Sequence, residues 1–373
     1  MAISMNRVAY ILGHSYGLNG CIGQSILFIG SPGGGKTTLA KEYAAKYCDG
    51  NRLTFEVSRM QGTDYAIPIP VHDERCFDYY PSRSVIKLAN QAKGLMFFDE
   101  ITRPSDSAAL AAVINIFLEH DLADVDFKHI TVWAAGNPAH QVGGQELDPA
   151  MANRLVIVEW PEDDGPEGFC DHVNAVDPKT GRRSGAEWPA APENWQDRWD
   201  EHWDKAKNCV TSFLRVRSDL LNEECPTTFR AWRSKRSWHT CINVLAACTL
   251  HGATTTETLT LLGGTIGQEA AGAFMSWRAG YDLPDPKAVV ANKVQLIDRD
   301  SMDMFIALSV ACDYYISSHK KGVVLPPEDW TKCLLRCADV HMEAVAPIAG
   351  RLAKERIVYP CLTQLYQKVL PTK

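Results

Sequence analysis

The sequence predicts an α/β fold: a parallel sheet flanked by helices across residues 1–165, then an all-helical remainder. Three observations carry that expectation. Apolar runs at 25–29, 53–57, 94–98, 130–135 and 155–159 are β-branched or aromatic and nearly continuous, the pattern of strands buried on both faces. Helix-forming runs at 37–48, 83–91 and 107–119 lie between them, and alternating β and α implies a doubly wound core. From about residue 205 strand alternation stops, and helical runs follow at 206–221, 229–250, 255–279, 301–317, 330–338, 344–357 and 362–370.

Taken in order, the first strand, 25–29, runs into Gly30-Ser31-Pro32-Gly33-Gly34-Gly35-Lys36-Thr37 and then into a helix that begins near Thr38. Strand, glycine loop and helix form the context a G-x-x-x-x-G-K-[ST] phosphate loop needs. Glycines let successive backbone N–H groups curl around phosphate, and the helix start adds its dipole. Lys36 is placed to neutralise β- and γ-phosphates, and the Thr37 hydroxyl to ligate Mg²⁺. The strand 94–98 ends in Asp99-Glu100. Asp99 is positioned to hold Mg²⁺ through water, and Glu100 to polarise an attacking water. Asp106, after Pro104, is an N-cap candidate for 107–119. The strand 130–135 ends in Gly136-Asn137-Pro138. Ligands of α/β sheets sit at the carboxyl ends of strands, where an asparagine can bond both γ-phosphate and water; the same tripeptide also makes ordinary turns. Before the strand 155–159, Arg154 closes a short helical stretch. It either satisfies helix carbonyls or reaches as an arginine finger into a neighbouring subunit.

Residues 161–204 differ in character, with 12 acidic against 4 basic residues and several prolines and glycines. Trp195, Trp199 and Trp203 within that span recur every fourth residue, which puts three indoles on one helix face, a spacing suited to core packing. Leu283-Pro-Asp-Pro286 reads as a break between helical units.

Composition narrows the function classes. The 373 residues are 46% hydrophobic and 22% charged, with net charge -7, an ordinary globular composition that disfavours a nucleic-acid sleeve. Apolar stretches fall short of a membrane span, and the first residues do not resemble a secretion signal. The 12 cysteines include no C-x-x-C pair, so most read as small buried hydrophobes in a reducing, cytoplasmic setting.

Several pieces together resemble a MoxR-type AAA+ ATPase of the bacterial and phage MoxR-like branch. They are residues 30–37, Phe97-Phe-Asp-Glu-Ile-Thr-Arg103, Asn137, the stretch 147–155 and the loop Arg59-Met-Gln-Gly-Thr-Asp64. The likeness is strongest over 25–160. Farther on, Ser234-Lys-Arg-Ser-Trp238, Gly267-Gln-Glu-Ala-Ala271 and Leu283-Pro-Asp285 look like lid features. The resemblance implies a P-loop AAA+ core at 1–165, an acidic irregular insertion at 166–194, a helical lid at 195–285 and a C-terminal helical extension at 286–373. It makes residues 30–38 the ATP-binding loop, Asp99 and Glu100 the Walker B pair, Asn137 sensor 1 and Arg154 the finger. It also makes Arg236 the sensor 2 candidate, with Arg230 and Arg233 close by. Asn153 and Leu155 stand where the family pattern has Asp and Phe.

From the same resemblance follow ATP and Mg²⁺ as cofactors and a nucleotide-dependent homohexamer. The implied output is chaperone-like remodelling of a protein partner, such as one with a von Willebrand A domain. The competing reading is an ATP-driven nucleic-acid motor or loader, which the acidic balance and the absence of helix-turn-helix or zinc-finger spacing count against.

Overall fold

The computed structural model describes residues 3–105, 107–141, 146–161, 170, 174, 188–280, 284–299, 301–323 and 325–355. Its elements through residue 160 are α1 (Met5–Gly13), β1 (Ile26–Ile29), α2 (Lys36–Tyr47), β2 (Arg52–Glu56), α3 (Gly62–Tyr65), β3 (Ala66–Val71), β4 (Cys76–Pro81), α4 (Arg83–Ala89), β5 (Leu95–Asp99), α5 (Ser107–Glu119), β6 (Asp121–Leu122), β7 (Val125–Asp126), β8 (Thr131–Gly136), α6 (Pro149–Ala152) and β9 (Val156–Glu159). All five apolar runs form strands, and they join in one sheet in the order β2-β5-β8-β1-β9. Every pairing in it is parallel. Parallel neighbours need crossovers, and the helices between the strands supply them.

Burial on both faces explains the unbroken apolarity of these strands. On one face Leu27, Phe55, Met96, Phe98, Val132 and Ala134 pack with Val113, Ile116 and Phe117 of α5. The opposite face carries Phe28 and Trp133, both fully buried, with Tyr43 of α2 4.3 Å from the Trp133 ring. Register aligns the strand ends: Glu56 lies across from Asp99, and Ile29 across from Gly136. One rim of the sheet therefore gathers the glycine loop, Asp99-Glu100 and Asn137.

Contacts divide the chain into two compact units, residues 1–206 with 219–273, and residues 207–218 with 274–373. Within the first, Trp195 and Trp199 are buried against Tyr16, with ring centroids 5.0 and 5.6 Å away, so their four-residue spacing serves packing. Within the second, helices Pro286–Val290, Ser301–Lys320, Pro327–Val340 and Met342–Lys354 enclose a core around Trp330, Leu308, Val345 and Ile348. Cys312, Cys333 and Cys337 are buried there, the small-hydrophobe use expected of them.

Several helix limits differ from the periodicity reading. The run 206–221 belongs to a helix that already starts at Trp195 and ends at Val216 (Trp195–Val216). The run 229–250 becomes helical only at Lys235, because Ser234 caps it by accepting from the Ser237 N–H. A single helix over 255–279 is instead Thr255–Ile266 followed by Gln268–Gly280, broken at Gly267, whose φ is 85°. Unforeseen elements are α1, α3, the exposed β3–β4 hairpin, the short β6–β7 pair and the helix Pro286–Val290. The N-cap at Asp106, the helix at 362–370 and nearly all of 166–187 lie outside the described residues.

Candidate active site

Gly33 and Gly35 adopt φ of 81° and 91°, conformations that strain any side chain, so the turn from β1 into α2 requires glycine at both. Ser31, Pro32, Gly33 and Gly34 are exposed, as is Thr38, and α2 begins at Lys36. Leaving the loop as a helix start orients α2's unbonded N–H groups toward it. Lys36 itself is buried. Its Nζ donates to Gly30 O at 2.7 Å, to Ser31 O at 2.8 Å and to Asn137 Oδ1 at 3.3 Å. Burial lowers its pKa from the usual lysine value, and the Asp99 carboxylate opposes that drop.

One residue on, the Thr37 hydroxyl donates to Asp99 Oδ2 at 2.6 Å. The other oxygen, Oδ1, accepts from the Glu100 N–H at 3.0 Å. Glu100 has φ 54°, an uncommon left-handed conformation that turns its carboxylate off the line of β5. There Oε2 accepts from the Ser58 hydroxyl at 2.5 Å. Asn137 is fixed by its backbone N–H, which donates to Thr102 Oγ1 at 3.0 Å. The Gly30 N–H donates to Gly136 O at 3.2 Å and ties the loop to the same strand end.

A hydroxyl and a carboxylate side by side make an all-oxygen donor pair, the kind Mg²⁺ takes when it keeps several waters and binds phosphate. Thr37 and Asp99 fit that ion. A cation held by protein alone would need more ligands, and no cluster of three or more His, Cys, Asp or Glu exists among the described residues.

The arginines differ in their distance from this cluster. Arg154 precedes β9, whose first residue, Val156, pairs with Ile26 at the start of β1, whereas the glycine loop follows the end of β1. Its Nη1 donates to Ala150 O at 2.6 Å, and its buried Nε has no acceptor. Burial first, and the nearby charge of Arg236 second, hold its pKa below the usual arginine value. Arg236 is thus near enough for its charge to act on Arg154. Arg233 pairs with Glu223 at 3.0 Å and Glu269 at 3.4 Å. Arg230 pairs with Glu223 at 2.7 Å and lines a cavity of about 470 Å³ together with Asn137, Thr102 and Glu159.

So the structure brings together Lys36, Thr37, Asp99, Glu100 and Asn137, and leaves Arg154 by the opposite end of β1. Ser58 and Trp160 escaped the sequence reading, and Thr102 entered it only as part of the stretch 97–103, with no role of its own. Each is one polar or aromatic residue at a strand end, and only their three-dimensional neighbours distinguish them.

Residues 25–155 match the model of the AAA domain of the dynein-related subfamily. No curated protein matches the chain. Among solved structures, a crystal structure of a Cytophaga hutchinsonii protein described as a “putative ATPase” is similar over 71% of this chain and 80% of that one, at 13% identity and a TM-score of 0.41. The matched span 25–155 holds the glycine loop, Asp99-Glu100, Asn137 and Arg154, and over those residues the chain is similar to an AAA domain, the domain of an ATP-hydrolysing enzyme.

Proposed function

We propose that the chain couples ATP hydrolysis at residues 30–38 to movement of its helical parts in a MoxR-like, ring-forming assembly that remodels a protein partner. One observation carries the hydrolytic half: Lys36 meets Asn137, and Thr37 meets Asp99, at the rim where the loop enters α2. Lysine, hydroxyl, carboxylate and amide converge where a triphosphate lying on the loop would end.

In this reading the N–H groups of Gly33, Gly34 and Gly35, and those of Lys36, Thr37 and Thr38, cradle the phosphates. Lys36 exchanges the carbonyls of Gly30 and Ser31 for phosphate oxygens, a switch its burial favours because the ammonium gains a counter-charge. Thr37 and Asp99 hold Mg²⁺, which when bound neutralises phosphate charge. Asn137 orients the attacking water. Glu100 accepts its proton after releasing Ser58.

The site so described contains one protein cation, Lys36. Arginine donors at the transition state contribute about 10³–10⁵ in rate. Arg154 precedes β9, by the end of β1 away from the loop, which suits delivery to the next subunit rather than to its own loop, and in this reading Arg236, whose charge acts on Arg154, goes with it. A head-to-tail contact of that kind closes into a ring. The number of subunits, six, and a partner with a von Willebrand A domain come from the MoxR resemblance. The test is particle mass by light scattering with and without Mg·ATP, run beside a phosphate-release assay. Nucleotide-dependent assembly with phosphate release is the expected result; a monomer under all conditions, without phosphate release, refutes the reading.

A further inference from the structure

Resting on the reading of residues 30–38 as an ATP loop, we propose that Trp160 is the positioning residue that braces the loop from outside. Its backbone N–H donates to Ile29 O at 2.6 Å, which seats it beside the last strand residue before the loop. From there the indole runs along the glycines. A Cβ added at Gly30 would lie 2.3 Å from Trp160 Cβ. One at Gly34 would lie 3.0 Å from Nε1 and 3.1 Å from Cδ1, and one at Gly35 3.9 Å from Cζ2. Phe28 stands edge-on to the ring at 5.8 Å, backing it from the sheet.

The loop's other ties gather at its start, where Gly30 N–H donates to Gly136 O, Lys36 Nζ to Gly30 O and Ser31 O, and Gln141 Nε2 to Ser31 Oγ. Its own backbone closes with one long bond, Gly34 N–H to Ser31 O at 3.4 Å, and Ser31 through Gly34 are exposed. Conformational entropy would spread such a segment over many shapes, and each lost shape weakens phosphate binding. A flat, rigid ring against three glycines removes those alternatives before nucleotide arrives. Glycine is thus needed here for two separate reasons. Gly33 and Gly35 require positive φ, whereas Gly30 and Gly34 leave room for Trp160.

That distinction gives a test which general destabilisation cannot mimic. Equilibrium binding of fluorescent mant-ATP is measured on the full chain for wild type, Trp160→Ala, Gly34→Ala, Gly30→Ala and both double variants with Trp160→Ala. Gly34→Ala should weaken binding about tenfold, a usual size for residues in contact. In the Trp160→Ala background the same change should cost less than about twofold, because the indole it strikes is gone. Gly30→Ala should stay as harmful in both backgrounds, since alanine retains the Cβ it strikes. Should Trp160→Ala melt near the assay temperature, Trp160→Val, which keeps a strand-compatible residue, replaces it. Equal cost of Gly34→Ala with and without the indole, in a wild type that binds mant-ATP, overturns the brace alone. A wild type that does not bind mant-ATP overturns the ATP-loop reading itself.

Discussion

Arg154→Ala is expected to leave ATP binding intact, to stop hydrolysis, and to be repairable by a different dead subunit. The distance is the reason. Val156 pairs with Ile26 and Trp160 abuts the glycine loop, so β9 separates Arg154 from its own site by four strand rises, about 13 Å. The guanidinium is further tethered to Ala150 O. Loss of an arginine donor at the transition state costs about 10³–10⁵ in rate, or roughly 4–7 kcal/mol. Mixing equal amounts of Arg154→Ala and Glu100→Gln subunits makes some interfaces whole: an intact Glu100 on one side and an intact Arg154 on the other. With random mixing, about a quarter of interfaces qualify, so steady-state phosphate release should recover to about a quarter of wild type. On the proposal that Arg236 is delivered with Arg154, Arg236→Ala should also be rescued by Glu100→Gln, but not by Arg154→Ala. No recovery in any mixture would refute the trans geometry, and recovery between the two arginine variants would refute their acting as a pair.

Glu100→Gln should bind ATP within about threefold of wild type and lose about 10²–10⁴ in turnover, the usual reach of a general base; near-normal turnover removes Glu100 from that role. Ser58→Ala should raise basal turnover about fivefold, because the hydroxyl occupies a lone pair that the base needs; about 1 kcal/mol is a reasonable worth for a part-exposed charge-assisted bond. An unchanged or lower rate would mean that Ser58 does not restrain Glu100. Acid should destabilise the fold through His14 and His120. Burial pushes each to about 4, below the usual histidine value of 6.5, so between those values the unfolded chain binds more protons and stability falls as pH drops from about 6.5. The ceiling is about 3 kcal/mol for each. Melting temperature against pH in His14→Gln/His120→Gln should show a shallower acid slope than wild type; an identical slope would assign the acid sensitivity to other groups.

How much of this was legible in the sequence differs from element to element. The five sheet strands were, because burial on both faces forces unbroken apolar runs that nothing else at 25–29 or 94–98 would need. The glycine loop was legible for the same local reason: its shape is dictated by Gly33 and Gly35 themselves. Helix ends were less so. Gly267 breaks a helix at a position where flanking periodicity continues, and Ser234 starts one inside an apparently helical run. The β3–β4 hairpin hid because Ile67, Ile69, Phe77, Tyr79 and Tyr80 are exposed, and exposed apolar residues on a twisted ribbon leave no inside-outside pattern to read. In the site, chemistry near the loop could be inferred from order along the chain. The partner of Glu100 could not, since Ser58 and Glu100 meet across 42 positions.

Titration calorimetry of Mg·ATP into wild type and Lys36→Ala goes to the centre of the account. Lys36 is buried at the head of α2 with donors already turned on the loop. A charge-assisted contact to phosphate is worth up to about 3 kcal/mol, so the substitution should weaken ATP about 100-fold at a temperature where both proteins are folded. Equal affinity in the two proteins would place the triphosphate somewhere other than this loop.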